Sequence, residues 1–189
     1  NMIETQHSIH QQTGLPIYSL YSETRIPNKS MLCDVDTIVV DLQIVGCRVY
    51  TFKATLHACL SAATKLGKKV VVLDRPNPLG GVGIEGRILE NKLRSFVGPF
   101  EMPLRHGLTV AEVAQLCNTE IGAELEFVLM NDWDAENGWW ETKRPWILTS
   151  PNLPTIDAVY AYYGTVIFEG TNVSEGRGTG LPFQLIGAP

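Results

Sequence analysis

Many of the usual functional signposts are missing from this sequence. The four cysteines, Cys33, Cys47, Cys59 and Cys117, are scattered and never form a C-x-x-C pair. They read as small buried hydrophobes, which excludes a disulfide framework or a cysteine zinc site. Basic charge is not in excess: the formal net charge is -5 and the pI is near 5.4, so nucleic acid is not expected as a partner. No apolar run approaches the roughly 20 residues of a membrane-spanning helix. The opening NMIETQHSIHQQTG lacks the basic and apolar regions of a signal peptide. There is no G-x-x-x-x-G-K-[ST] phosphate loop, no G-x-G-x-x-G directly after a strand and no G-x-S-x-G nucleophile elbow. Internal repeats and low-complexity segments are missing too. What remains is 189 residues, 44% hydrophobic and 19% charged, which is ordinary for one soluble domain with a real core.

The pattern along the chain is that of an α/β protein. Residues 1 to 14 are polar and read as loop. His7 and His10 have a metal-like spacing but nothing nearby completes a site, so they read as surface histidines. Ile17 to Leu20 is a short strand candidate, and Pro27-Asn28 opens a short helix with Met31 and Leu32 facing inward. Asp36 to Leu42 is a continuous β-branched run, the signature of a buried parallel strand. Thr51 to Leu66 repeats Leu56, Cys59, Leu60 and Ala63 at helical spacing and is closed by Gly67. Lys69 to Asp74 is the next strand, which makes a right-handed βαβ unit. Thr109 with Glu112 forms a capping box for a helix ending before Gly122. Leu125 to Met130 follows as a strand, and Pro154 starts a helix over Thr155 to Tyr163 that Gly164 stops. The expected fold is Rossmann-like: a mostly parallel sheet with helices on both faces.

The densest chemistry lies between Tyr163 and Phe183. Thr165 to Phe168 reads as a buried strand between Gly164 and Gly170, followed by a glycine-rich loop with Glu169, Asn172, Glu175 and Arg177. Loops leaving the carboxyl ends of parallel strands are where open α/β sheets place ligands. Asp41 and Gln43 follow the first strand, and Asp74, Arg75 and Asn77 follow the second. Asp41, Asp74, Glu85, Glu169 and Glu175 are therefore expected to line one cleft, with a raised pKa on one of the three glutamates. The inventory favours carboxylate acid/base chemistry on a neutral or anionic sugar, since glycoside cleavage needs two carboxylates flanking the bond. Glu169 and Glu175 are the first catalytic candidates and Glu85 the third. Asp41 and Asp74 either hold the site or bind sugar hydroxyls. Asn77 and Asn172 either bind or hold loops, and His106 is a general acid/base or a hydrogen-bonded structural group. The tryptophans Trp133, Trp139, Trp140 and Trp146 are sugar platforms or an interface.

The segments DLQIVGCRVYT, VVVLDRPNPLGG, SFVGPFEMPLRHGLT, SPNLPT and GTVIFEGTNVSEGRGTGLPF stand in this order. Together they resemble the bacterial family once called DUF1343 and now described as NamZ-type exo-β-N-acetylmuramidases, from about Leu15 to Pro189. The resemblance implies a Rossmann-like domain followed by a smaller auxiliary domain. It implies release of N-acetylmuramic acid from the non-reducing ends of peptidoglycan fragments, no organic cofactor or metal, and a cell-envelope or secreted location. Under it, Arg48, Arg75 and Arg177 are candidates to take the lactyl carboxylate by paired hydrogen bonds. Residues 1–189 read as one catalytic-type domain without the family's N-terminal βα segment, which carries a Glu-His-Gly motif, and without its auxiliary domain. Little turnover is then expected from these residues alone. Where the family turn D-x-Q-D-x-G has a second aspartate, this chain has Ile44. Two other functions remain open: a catalytically silent sugar- or muropeptide-binding domain, and a nucleotide-binding enzyme, the latter on fold pattern alone.

Overall fold

A computed structural model describes residues 5–188; residues 1–4 of the polar opening lie outside the described residues. Its centre is a three-stranded parallel sheet in the order β3-β4-β5, with β3 at Thr37–Val40, β4 at Lys69–Leu73 and β5 at Leu125–Val128. Val40 pairs with Val72, and Val72 with Phe127. Helix α2 (Phe52–Leu66) crosses over from β3 to β4, and α3 (Val110–Ile121) from β4 to β5. Both helices begin and end as their sequences dictate. Gly67 and Gly122 take left-handed C-cap conformations, and Thr109 and Glu112 close the capping box. Before the sheet, β1 (Ser8–Ile9) and β2 (Pro16–Ile17) form a small exposed antiparallel ladder, and α1 (Lys29–Leu32) is capped by Asn28. The polar opening is thus not loop throughout. His7 and His10 make local bonds, His7 Nδ1 accepting from Ser19 N at 2.9 Å.

The main core lies between the sheet and the α2/α3 layer. Val40, Val70 and Val72 point into it and meet Leu56, Leu60, Val110 and Val113. Successive strand residues face opposite ways, and the other side of the sheet is less covered: Val39 is 59% exposed and Val128 55%. Cys47, Cys59 and Cys117 are buried as expected, but Cys33 is exposed. A second, aromatic core joins Val45, Tyr50, Trp139 and Leu153 to α4 (Ile156–Thr165) and Phe183. Edge-to-face contacts fix it, with Tyr162 and Phe183 centroids 4.7 Å apart.

One element differs in kind from its sequence reading. Thr165–Phe168 is not a strand: α4 runs through Gly164 to Thr165, and Val166–Gly170 continues as a 3-10 turn. Buried Ile156, Val159, Tyr162 and Val166 recur at spacings of three or four, while Ile167 is 60% exposed. The helical period set upstream overrides the β-branched composition and the cost of a mid-helix glycine, about 1 kcal/mol. Glu169 therefore does not leave a strand end. No helix among the described residues is long and apolar enough to cross a membrane.

Candidate functional site

Strands β3 and β4 are parallel, so their carboxyl ends share one edge, and the loops leaving that edge are fastened together. Arg75 Nε donates to Asp41 Oδ1 at 2.6 Å. That bond holds the Asp41 carboxyl below its usual pKa and raises that of Arg75. Asp74 Oδ1 accepts from Arg75 N and from Ala111 N, both at 3.0 Å, and so ties the β4 loop to the first turn of α3. Gln43 Nε2 donates to Ile44 O at 2.7 Å and to Pro76 O at 2.8 Å. Asn77 is fully buried; its amide donates to Leu108 O at 3.1 Å and its carbonyl accepts from Leu79 N at 3.0 Å. Gly46, at φ +71, lies against Asn77 so closely that any side chain there would collide with it. Ile44 is 3% exposed and belongs to the main core.

A cavity of about 470 Å³ opens at this edge, lined by Asp41, Gln43 and Arg75 together with Phe52, Trp139 and Arg144. Trp139 is buried, and its Nε1 donates to Arg144 O at 3.1 Å. Thr149 also lines the cavity, and its hydroxyl, shielded from solvent, has no partner among the described residues. A smaller cavity of about 250 Å³, lined by Asp74, Glu112 and Trp133, lies beside the start of α3. Asp41 and Asp74 thus face different cavities, and Glu85, Glu169 and Glu175 line neither of them.

Two further ion clusters hold the glutamates. Glu85 Oε1 bonds Arg105 Nη1 at 2.9 Å, and Tyr163 OH donates to Glu85 Oε2 at 2.7 Å. The tyrosine bond first, then the Arg105 charge, depress the Glu85 pKa, the reverse of the rise expected of a general acid. In the glycine-rich segment, Arg177 pairs with both Glu169 and Glu175, reaching Glu175 Oε1 at 2.8 Å, and stacks over the Phe183 ring at 4.9 Å. Glu175 is 8% exposed, whereas Asn172 is on the surface.

Other candidates are turned inward. Arg48 Nη1 donates to the carbonyls of Arg87 and Met102, both at 2.7 Å. His106 is 3% exposed, and its Nδ1 accepts from Leu108 N at 3.1 Å. Burial, with the charge of Lys53, pushes the His106 pKa down to about 3, so its imidazole is neutral. Lys53, which the sequence does not single out, is 1% exposed and bonds Val97 O at 3.3 Å, and burial lowers its pKa to about 7. Its helical position, one residue into α2 beside apolar neighbours, was the only signal. Arg105 and Tyr163, 58 positions apart in sequence, carried none that linked them to Glu85.

The family described as "Exo-beta-N-acetylmuramidase NamZ, N-terminal" matches residues 1–157, and its C-terminal counterpart matches residues 160–189. Over 183 residues the chain is 48% identical to the peptidoglycan beta-N-acetylmuramidase NamZ of Bacillus subtilis, covering 96% of this chain and 44% of that protein. Two crystal structures of DUF1343 family proteins from Bacteroides fragilis share the fold. One has a TM-score of 0.88 and 38% identity, covering 95% of this chain and 48% of that one. The other has a TM-score of 0.85 and 36% identity, covering 96% and 50%. The chain spans about half the length of these relatives.

Proposed function

The chain belongs to the NamZ exo-β-N-acetylmuramidase family, and from that premise we propose that it is the sugar-holding and catalytic-type portion of a glycoside hydrolase. Its substrates are peptidoglycan-derived saccharides, and the bond cleaved is the one that releases N-acetylmuramic acid from a non-reducing end. The observation that supports this best is the cavity at the carboxyl ends of β3 and β4, where an aromatic wall meets an ion pair. Indole and phenyl faces pack against the C–H faces of a pyranose. Asp41, kept ionised by Arg75, accepts hydrogen bonds from sugar hydroxyls. Residues 1–189 act here as one Rossmann-like unit, because Tyr162, Val166 and Phe183 share a core with Val45 and Tyr50.

The oxocarbenium-like transition state needs one carboxyl group to protonate the leaving oxygen and one carboxylate on the other side. Glu169 and Glu175 are the candidates for these roles on this reading; both pair with Arg177 and neither lines the cavity, so the reading requires the scissile bond to reach out of the cavity to the glycine-rich segment. Glu85 is held ionised by Tyr163 and Arg105, which suits charge stabilisation and not proton donation. Asp74 and Asn77 hold the loops, and His106 stays neutral within the frame. Arg75 is the cavity's own guanidinium, while Arg48 serves as a clamp. The test is release of N-acetylmuramic acid from a chromogenic β-muramide by the full-length protein. Glu169→Gln and Glu175→Gln should each lower turnover by roughly 10²-fold with folding preserved. No turnover by the intact protein would contradict the hydrolase reading.

A second reading is favoured by one observation. Ile44 is 3% exposed and sealed in the core, so the turn Asp41–Gly46, in which the resemblance implies a second aspartate, supplies no carboxylate there. A catalytically silent domain would then bind muropeptides saturably without cleaving them.

A further inference from the structure

Two guanidinium groups line the cavity at the carboxyl ends of β3 and β4, and they differ in one respect. Arg75 is committed to Asp41. Arg144 has no carboxylate within ion-pair distance and no side-chain hydrogen bond among the described residues. Its backbone, by contrast, is held at both ends. Its N–H donates to Thr142 Oγ1 at 3.3 Å, and its carbonyl accepts from the buried Trp139 indole at 3.1 Å. The residue before it, Lys143, sits at φ 55, a left-handed conformation that a lysine adopts only at a cost. A 3-10 turn over Trp140–Thr142 delivers the chain into that conformation. A strained, doubly anchored backbone thus presents an unpaired cation to a concave site.

Asp41 and Arg75 cancel each other, so Arg144 leaves the cavity with one uncompensated positive charge in a protein whose net charge is -5. The remaining wall is apolar, with Phe52, Trp139, Ile147 and Leu148. The volume of about 470 Å³ is in the range of small-molecule sites. An apolar wall suits a sugar ring, and a free planar guanidinium suits a carboxylate by two parallel hydrogen bonds.

We propose that Arg144 is the anion receptor of this cavity and selects sugars that carry a carboxylate over uncharged sugars of the same ring. The identity of the sugar rests on the muramidase reading; the charge selection does not. N-acetylmuramic acid differs from N-acetylglucosamine by its lactyl ether, and the methyl ester of that ether keeps the shape while removing the charge.

The test is calorimetric or NMR titration of the full-length protein with all three sugars, for the native protein and for Arg144→Gln and Arg144→Lys. Arg144 is exposed, so both variants should fold, which their melting curves check. The native protein should favour N-acetylmuramic acid over its methyl ester by about tenfold or more, as expected of a charge-assisted pair. Arg144→Gln should abolish that preference while leaving N-acetylglucosamine binding within about twofold, and Arg144→Lys should keep only part of it, because an ammonium cannot make the planar pair. Equal binding of acid and ester by the native protein would overturn the proposal, as would a preference that survives in Arg144→Gln. Selective binding without cleavage would leave Arg144 in its role and remove the hydrolase reading. Cleavage with an undiminished preference in Arg144→Gln would do the opposite.

Discussion

The loops at the ends of β3 and β4 and the glycine-rich segment from Val166 to Phe183 carry the same kinds of residue, carboxylates beside arginines. They differ in what holds them. At the strand ends, Gln43, Asp74 and Asn77 reach to Pro76, Ala111 and Leu108, partners on other loops and on a helix. In the glycine-rich segment most hydroxyl bonds are local: Thr171 to Phe168 and Val173, Ser174 to Gly176, Thr179 to Gly176 and Leu181. The longer ties there are the Phe183 N to Glu175 O bond at 2.6 Å, Thr165 to Phe183 O, the Ser174–Gly187 bridge and the Arg177 ion pairs. A cluster of reactive residues becomes a preorganised site when its backbone is over-determined by distant partners. By that criterion the strand ends are the more rigidly held of the two, and the glycine-rich segment is the less constrained.

The contrast should be plainest in Asn77. Asn77→Ala would strand Leu79 N and Leu108 O inside the protein, with an expected loss of about 3 kcal/mol in chemical denaturation. Asn172→Ala, on the surface, should stay within about 0.5 kcal/mol. Comparable losses at the two positions would erase the distinction.

The frame also contains a buried cation, which gives the next largest effect. Lys53 lies beside Phe100, its ammonium 5.9 Å from the ring centre, with a pKa near 7 in the folded protein and an ordinary value of 10.5. Unfolding therefore takes up a proton between about pH 7 and 10.5, so stability should rise with pH through that window. Lys53→Met should flatten this rise and stabilise the protein below pH 7 by about 2 kcal/mol, as replacing poorly compensated buried charge does. Destabilisation by Lys53→Met at pH 6 would show that the ammonium is better solvated than its burial implies.

His106 should shape the acid side. Its folded pKa near 3 lies below the ordinary 6.5, so stability should fall as pH drops from 6.5 towards 3, with a slope of up to one proton. A His106→Gln variant whose acid limb matched the native protein's would rule out this source. Asp41→Asn breaks a half-exposed pair and should change stability by less than about 1 kcal/mol. It would nonetheless free Arg75 to compete with Arg144 for anions.

Most of the sheet was legible because its signals were local. Gly67, Gly122 and the Thr109/Glu112 box bounded α2 and α3, and the valine-rich runs marked β3 and β4. Thr165–Phe168 reads as a strand because four β-branched and aromatic residues fit one on composition, whereas their burial follows the turn of α4. Asp41, Gln43 and Arg75 could be gathered from the rule that ligands sit at strand ends. Arg144 could not, since it reaches the cavity through Trp139 and a left-handed Lys143, about a hundred residues beyond Asp41. Among the tryptophans, Trp139 packs in the aromatic core and lines the larger cavity, Trp133 lines the smaller one, Trp146 packs against the aromatic core and Trp140 is 60% exposed.

The proposed division between a rigid sugar-holding cavity at the strand ends and a less constrained glycine-rich segment is most directly tested by mapping NMR shifts as N-acetylmuramic acid is added to the full-length protein. The Trp139 indole and the amides of Gln43, Arg144 and Leu148 should shift first and saturate together, since all four residues line the cavity. Changes between Glu169 and Arg177 should be smaller. Shifts confined to residues 169–180, with the Trp139 indole unmoved, would place the sugar in the glycine-rich segment and contradict the assignment of the holding site to the strand ends.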